Sequence, residues 1–266
     1  MKGRRALAGA VLAACLTAGR STFAAEERAL YLAEGDDVRL FDHYDNDGYS
    51  LEVEPAADGA VRLRVRVDDA PLESSAPFPT GAPRDAALPP SRERDAFAAD
   101  ATRGSPRQSD AVARVLVALA ARVRYDADLR LPQDPAAVYA SRRADCVGFA
   151  ELAVDLLRRA GVRARTVQGI LRTNPGQPAH EARIAGAYHR WIEVYYPDRG
   201  WVFSDPSASI NGVDARYIPF RARALSKPRS LTLVFVDQSG GLSYAPVDAG
   251  PARLLERPAA RALAKP

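Results

Sequence analysis

With 266 residues, 47% of them hydrophobic and 26% charged, the chain is too long for a disulfide-stapled mini-protein and is composed like a globular one; 18 Gly and 20 Pro without a period exclude collagen, coiled coil and wholesale disorder. The formal net charge of +4 comes from the first 25 residues, which hold Lys2, Arg4, Arg5 and Arg20 and no acid; removing those four from the 37 basic residues leaves 33 against 33 acidic ones. A balanced chain with no basic stripe excludes nucleic acid as an expected partner, and no apolar run reaches the ~20 residues of a membrane-spanning helix.

Residues 1–25 have a positive start, Lys2 to Arg5, followed by a short apolar run from Ala6 to Gly19, the pattern of an export signal. Cleavage after Ala24 or Ala25 is one outcome. Leu12-Ala13-Ala14-Cys15 also resembles the lipobox of bacterial lipoprotein signals, which implies a lipidated Cys15 that tethers the mature chain to a membrane. The expected location is therefore periplasmic or outer-membrane lipoprotein, with plain secretion as the alternative. Only Cys15 and Cys146 exist, so the mature domain has one thiol and no disulfide. In an oxidising compartment a lone thiol is a liability, which argues for a chemical role for Cys146, with an inert buried cysteine as the alternative.

Residues 26–70 form a small β module: Tyr49–Glu54 and Val61–Val67 alternate apolar and polar residues, with turns at Asp45–Gly48 and Ala57–Gly59. His43, Asp45, Asp47, Gly48 and Glu54 have the spacing of a calcium loop, but a His at its first position and the lack of flanking helices favour a hairpin turn. Six prolines between 71 and 95 mark a linker. A core follows over 96–250, and the Ala/Arg/Pro-rich residues 251–266 read as a disordered tail.

Within that core, Ala113–Val123 is an amphipathic helix that leads into Tyr125, and Ala136–Ala140 a short helical turn. The next helix has Asp145 as its N-cap, apolar residues at 149, 152, 153, 156, 157 and 160 on one face, Arg158 and Arg159 at its negative end, and Gly161 as its stop. Cys146 falls in its first turn, where unpaired N–H groups and the helix dipole favour a thiolate; such surroundings lower a Cys pKa from ~8.5 to between ~3.5 and ~7.5. The same N–H groups are suited to an oxyanion. Gly148 either admits close approach of a substrate or another backbone, or relieves crowding.

Three histidines are available as a base. His43 lies in the turn region of the β module and His180 in a Pro- and Gly-containing loop. His189 opens a β-branched and aromatic strand over 188–196, and Pro197–Gly200 turns it into a second strand, 201–205, that ends at Asp205 and Pro206. A plain four-residue turn would leave His189 and Asp205 on opposite faces. For the two to share a face, the paired residue numbers must add to an even total, which requires an odd loop or a bulge.

Asp145-Cys-Val-Gly-Phe-Ala on a helix, His189-Arg-Trp-Ile-Glu-Val on a strand and Gly200-Trp-Val-Phe-Ser-Asp-Pro-Ser resemble the transglutaminase-like superfamily of papain-like cysteine enzymes over roughly residues 111–208. The resemblance implies an α+β fold in which the Cys helix packs on an antiparallel sheet, expected from residues 162–171, 188–196, 201–205, 231–236 and 242–247, with the small antiparallel β module preceding it. It implies Cys146 as nucleophile, His189 as general base and then acid, and Asp205 as the group that orients the imidazole. Tyr125 is a candidate oxyanion donor and Trp191, with Trp201, a candidate substrate-groove residue, although strand aromatics commonly belong to a core. Arg190, where relatives often carry a small residue, bears on substrate entry.

The implied chemistry is acyl transfer on a protein or peptide substrate, first of all hydrolysis of a peptide or isopeptide bond, with no cofactor and no metal. Glutamine transamidation and a non-catalytic scaffold are the alternatives. A metal-dependent hydrolase using His180, Glu181 and His189 fits poorly, because the spacing from Glu181 to His189 is not that of a compact zinc site. The oligomeric state is left open.

Overall fold

The computed structural model describes residues 26–78, 87–126, 130–172, 188–221, 231–239 and 255–256. Alternating sequences build the first sheet: β1 (Glu26–Glu34), β2 (Tyr44–Asn46), β3 (Tyr49–Pro55) and β4 (Val61–Asp68). Tyr31, Ala33, Leu51, Leu63 and Val65 point inward, while Arg62, Arg64 and Arg66 lie on the other face against Glu52 and Glu54. Asp47-Gly48 closes the β2–β3 hairpin, with Gly48 at φ +80°.

The helical layer follows as α1 (Arg92–Thr102) and α2 (Gln108–Arg122), then the short β5 (Arg124–Tyr125), α3 (Pro135–Ser141), β6 (Arg143–Ala144) and the central helix α4 (Cys146–Arg159). Ser91 caps α1 by accepting from the Arg94 N–H, so this helix starts inside the stretch read as linker. The remaining strands are β7 (Ala164–Leu171), β8 (Tyr188–Tyr196), β9 (Gly200–Ser204), β10 (Ser209–Ile210), β11 (Tyr217–Pro219), β12 (Thr232–Ser239) and β13 (Leu255–Glu256). A second antiparallel sheet has the order β11-β7-β8-β9. Leu255 and Glu256 pair in parallel with Ser209 and Ile210.

The second sheet is the middle layer of three. Ala164, Ile192, Val194 and Val202 share one core with Leu116 of α2 and Leu152 and Leu156 of α4. Val167, Trp191, Phe203 and Ile218 share another with Tyr31, Leu51, Leu63 and Val65 of the first sheet. The β module is therefore packed on the back of the sheet that carries the Cys helix on its front. Fully buried Glu193 on β8 fastens the layers by accepting from Asn46 Nδ2 at 2.9 Å and Arg165 Nε at 2.6 Å.

The strand expected over 231–236 forms as β12 but joins the first sheet, pairing with β1 in the order β12-β1-β4-β3-β2, and not the Cys-helix sheet. Period-two alternation specifies which face of a strand is buried and says nothing of which free edge it takes. The strand expected over 242–247 lies outside the described residues. Among the described residues no helix is long and apolar enough to cross a membrane.

Helix α4 ends as its sequence predicts: Gly161 takes φ +81°, its N–H reaches the Arg158 carbonyl at 3.0 Å, and the Val162 N–H reaches Leu157 at 2.9 Å. Arg159, however, is buried and does more than offset the dipole. It donates to Asp155 at 2.7 and 3.0 Å and to Asp95 at 2.8 Å, while Arg94 of α1 reaches the same Asp155 at 3.0 Å. Removing the shared carboxylate takes the Asp155 charge from buried Arg94 and leaves buried Arg159 with Asp95 in place of two carboxylates. Asp155→Ala should therefore lose about 3–5 kcal/mol of unfolding free energy in urea titrations, whereas substituting exposed Asp100 should change it little.

Candidate active site

The β8–β9 hairpin decides whether the sequence-predicted residues can meet. Its loop is Pro197-Asp198-Arg199, closed by a bond from the Arg199 N–H to the Tyr196 carbonyl at 3.2 Å, and Gly200 takes φ +80°. Tyr196 pairs with Gly200 and Ile192 with Ser204, so every pair adds to the even total 396. The odd loop puts His189 and Asp205 on one face, and His189 Nε2 lies 2.6 Å from Asp205 Oδ2.

Asp205 is wholly buried and its acceptor sites are filled. Oδ2 accepts from His189 and from the Tyr217 hydroxyl at 2.8 Å; Oδ1 accepts from the Ser207 N–H at 2.9 Å and its hydroxyl at 2.7 Å. Burial alone would raise this carboxyl, but the facing imidazolium and the Ser207 bonds outweigh it and hold the pKa below the usual carboxylate value. For His189, burial opposes the charged ring. The Asp205 charge and hydrogen bond, helped by a hydrogen bond to the Cys146 side chain, prevail and raise its pKa to about 10. With Nε2 held by Asp205, Nδ1 is the ring nitrogen left for another partner. Cys146 keeps 9% of its surface accessible and His189 8%, so both are almost wholly buried.

Cys146 is the first residue of α4, as its sequence predicts, and Asp145 caps the helix with Oδ1 accepting from Val147 N–H at 2.8 Å and Gly148 N–H at 3.2 Å. Those two N–H groups are thereby taken. The backbone of Cys146 lies close enough to the Tyr125 hydroxyl to bear on its titration, and the β5–β6 pair, in which Tyr125 sits opposite Ala144, brings the two together. Burial, and then the negative charges near Cys146, Asp145 and Asp205, push the Tyr125 phenol up to about 12, so it is a neutral donor at ordinary pH. A Cβ on Gly148 would lie 2.8 Å from Val138 Cγ2 and 2.9 Å from Ala144 Cβ; this glycine relieves crowding rather than clearing a path for substrate.

Trp191 does not line a groove. It is fully buried, with its ring 6.1 Å from the His189 ring and nearly parallel to it, and 5.4 Å from Tyr217. A bulky apolar side chain in the middle strand of the middle layer has nowhere else to go. It packs over Gly169, the partner of His189 across β7–β8, where a Cβ would come within 2.5 Å of Trp191 Cη2 and 2.2 Å of the Ile218 carbonyl oxygen. Arg190 reaches α4 and donates to Glu151 at 2.7 Å, tying the His strand to the Cys helix. Trp201 is six residues along β8 from the level of His189, about 20 Å away.

Tyr217, Ser207 and Gly169 were not singled out by sequence. Ser207 carried a signal, since Asp-Pro-Ser is an Asx-turn pattern; Tyr217 carried none. His43 accepts from the Val53 N–H at 3.4 Å in the β module, and Asp47 of the calcium-like spacing pairs with Arg199. Cys15, His180 and Glu181 lie outside the described residues.

Residues 95–206 match the family model described as the transglutaminase-like superfamily. This segment is similar to the transglutaminase-like superfamily. An uncharacterized protein of Bacillus subtilis (strain 168), YebA, is 37% identical over 68 residues, a match that spans 23% of this chain and only 9% of that relative. Among solved structures, a cysteine-protease candidate from Cytophaga hutchinsonii aligns with a TM-score of 0.46 at 14% identity, covering 86% of this chain and 94% of that one. The periplasmic domain of TgpA from Pseudomonas aeruginosa aligns with a TM-score of 0.39 at 18% identity, covering 71% and 91%.

The core of this protein thus holds its imidazole in a buried ion pair, and linkage gives that pair a pH signature. A raised imidazole contributes stability that is fully present below its ordinary value of 6.5 and is lost as pH rises through about 10; the depressed carboxyl contributes stability that is lost as pH falls below its ordinary 3.8. Asp205→Asn should bring the His189 titration, followed by NMR, down from about 10 and flatten the alkaline fall in unfolding free energy. An unchanged titration would show that Asp205 is not what holds the charge.

Proposed function

We propose that this protein is a cysteine-nucleophile acyl-transfer enzyme that hydrolyses peptide or isopeptide bonds, with Cys146, His189 and Asp205 as its triad. The observation that carries this reading is the imidazole held at 2.6 Å by a saturated, buried carboxylate and raised in pKa by that carboxylate and by Cys146, the one thiol among the described residues. A buried structural cysteine needs neither partner.

In the proposed reaction the Cys146 proton already resides on His189, whose raised pKa favours a thiolate–imidazolium pair, and the Sγ thiolate attacks the scissile carbonyl carbon. The carbonyl oxygen, now an oxyanion, accepts from the Cys146 N–H and from the Tyr125 hydroxyl. The imidazolium then protonates the leaving amine as the C–N bond breaks, leaving a thioester on Cys146. Water, deprotonated by His189, attacks the thioester and releases the carboxylic acid and the thiol. Asp205, fixed by Tyr217 and Ser207, keeps the ring oriented in both halves. Trp191 supports the ring from below and does not touch substrate.

The leader supports export, with Cys15 lipidated and the enzyme acting on protein or peptide substrates outside the cytoplasm. Mass spectrometry of the membrane-bound protein should find a diacylated Cys15 as the first residue, and Cys15→Ala should release the chain from the membrane fraction.

Iodoacetamide at neutral pH should modify Cys146 rapidly in the wild-type chain and slowly in His189→Ala. Peptide turnover should vanish in Cys146→Ala, fall by about 10⁴ in His189→Ala, and fall in kcat by about 10² in Tyr125→Phe. A free carboxylate, and not an amide, should form when a primary amine is supplied with the peptide. Slow labelling that His189→Ala leaves unaltered would reduce the protein to a scaffold with this fold.

A further inference from the structure

A cavity of about 440 Å³ lies at the end of α4 remote from Cys146, lined by Arg158, Gly161, Val162, Arg163, Ala164, Arg165 and Trp201. The 14 residues of α4 put it about 20 Å from the thiol, so it belongs to a different site. Its lining side chains include three guanidinium groups and no acid. The aromatic residues of the β8–β9 hairpin hold two of them in place: Arg163 lies 4.4 Å from the Tyr195 ring centroid and 5.7 Å from that of Trp201, and Arg165 lies 4.2 Å from Trp201. Tyr195 and Trp201 themselves meet edge-on at 5.4 Å.

The donors of these groups are not equally engaged. Arg165 directs Nε to Glu193, and Arg158 directs Nε to the Ala164 carbonyl at 2.9 Å. Arg163 is exposed, and among the described residues no carboxylate pairs with it. Stacking uses the faces of a guanidinium and leaves its N–H edge free, the edge that binds a carboxylate in a two-pronged manner. An immobilised, unpaired fork beside an aromatic wall has already lost most of the side-chain freedom that binding would otherwise cost.

We propose that this cavity binds the carboxylate side chains of an acidic peptide segment. The planar forks suit carboxylates, Trp201 offers apolar surface to their methylene stems, and the volume falls within the range of ligand sites, about 300–1,000 Å³, far more than a single inorganic anion fills. The choice of a peptide rests on the proposed peptide chemistry at Cys146. An extended chain covers about 3.3 Å per residue, so the acidic residues would lie about six or more positions from the bond that is cut.

Titrating triglutamate into the full chain tests the site without turnover, by calorimetry and by the fluorescence of Trp201, the half-buried one of the two tryptophans. Saturable binding is expected, weakened about tenfold by Arg163→Gln and likewise by Arg158→Gln, unchanged by Arg28→Gln on the first sheet, and absent for triglutamine. Iodoacetamide labelling of Cys146 should be the same in Arg163→Gln as in the wild type. Triglutamate binding insensitive to both substitutions, or inorganic phosphate binding as tightly as triglutamate, would overturn the proposal. Intact triglutamate binding beside a sluggish thiol would remove the proposed enzyme and leave this site standing.

Discussion

Side chains on two paired antiparallel strands share a face only when the numbers of facing residues add to the right parity, and one residue more or less in the connecting loop reverses it for the whole hairpin. In this protein the Pro197-Asp198-Arg199 loop supplies the parity that lets His189 and Asp205 meet. Gly200 makes the loop possible by taking a positive φ that a side chain would resist. Neither residue of the pair could be rescued by a rotamer change if the register slipped, because both are buried and β8, which carries His189, is fixed on each side by β7 and β9.

The same pair shows how the fold accommodates buried charge. Asp205 has no access to water, and its four hydrogen bonds stand in for hydration. Asp155 and Glu193 follow the same rule in other places: one is shared by Arg94 and Arg159 between helices, the other by Asn46 and Arg165 between sheets. These charges lie at the seams between layers, where apolar contact alone would allow sliding. They set the relative position of α1, α4 and the two sheets, and through it the approach of the Cys146 helix to the His189 strand, to which Arg190 and Glu151 add a direct tie.

Helix α4 gives its two ends opposite character. At the start, Asp145 takes the N–H groups of Val147 and Gly148, and the N–H of Cys146 is not among those it caps. At the finish, Gly161 and Val162 close the last carbonyls, and exposed Arg163 stands beside them against the Tyr195 and Trp201 rings. A substrate long enough to touch both ends would meet the thiol at one and a cationic, aromatic surface at the other.

Local features were legible in the sequence because their physics is local. The Asp145 cap, the Gly161 stop, the apolar face of α4, the alternation of the β module and the hairpin bearing His189 and Asp205 depend on residues a few positions apart, and the structure has them where spacing predicts. The parity of the hairpin was legible only as a condition, since Pro197–Gly200 is compatible with a three- or a four-residue loop. Contacts between distant segments had no signature: Tyr217 on Asp205, Glu151 on Arg190, β12 on the far edge of the first sheet, and the burial of Trp191 under the imidazole. Periodicity reports which side of an element is apolar, whereas the choice of what covers that side is made by shape and by the pairing of buried charges, and those exist only once the layers have assembled.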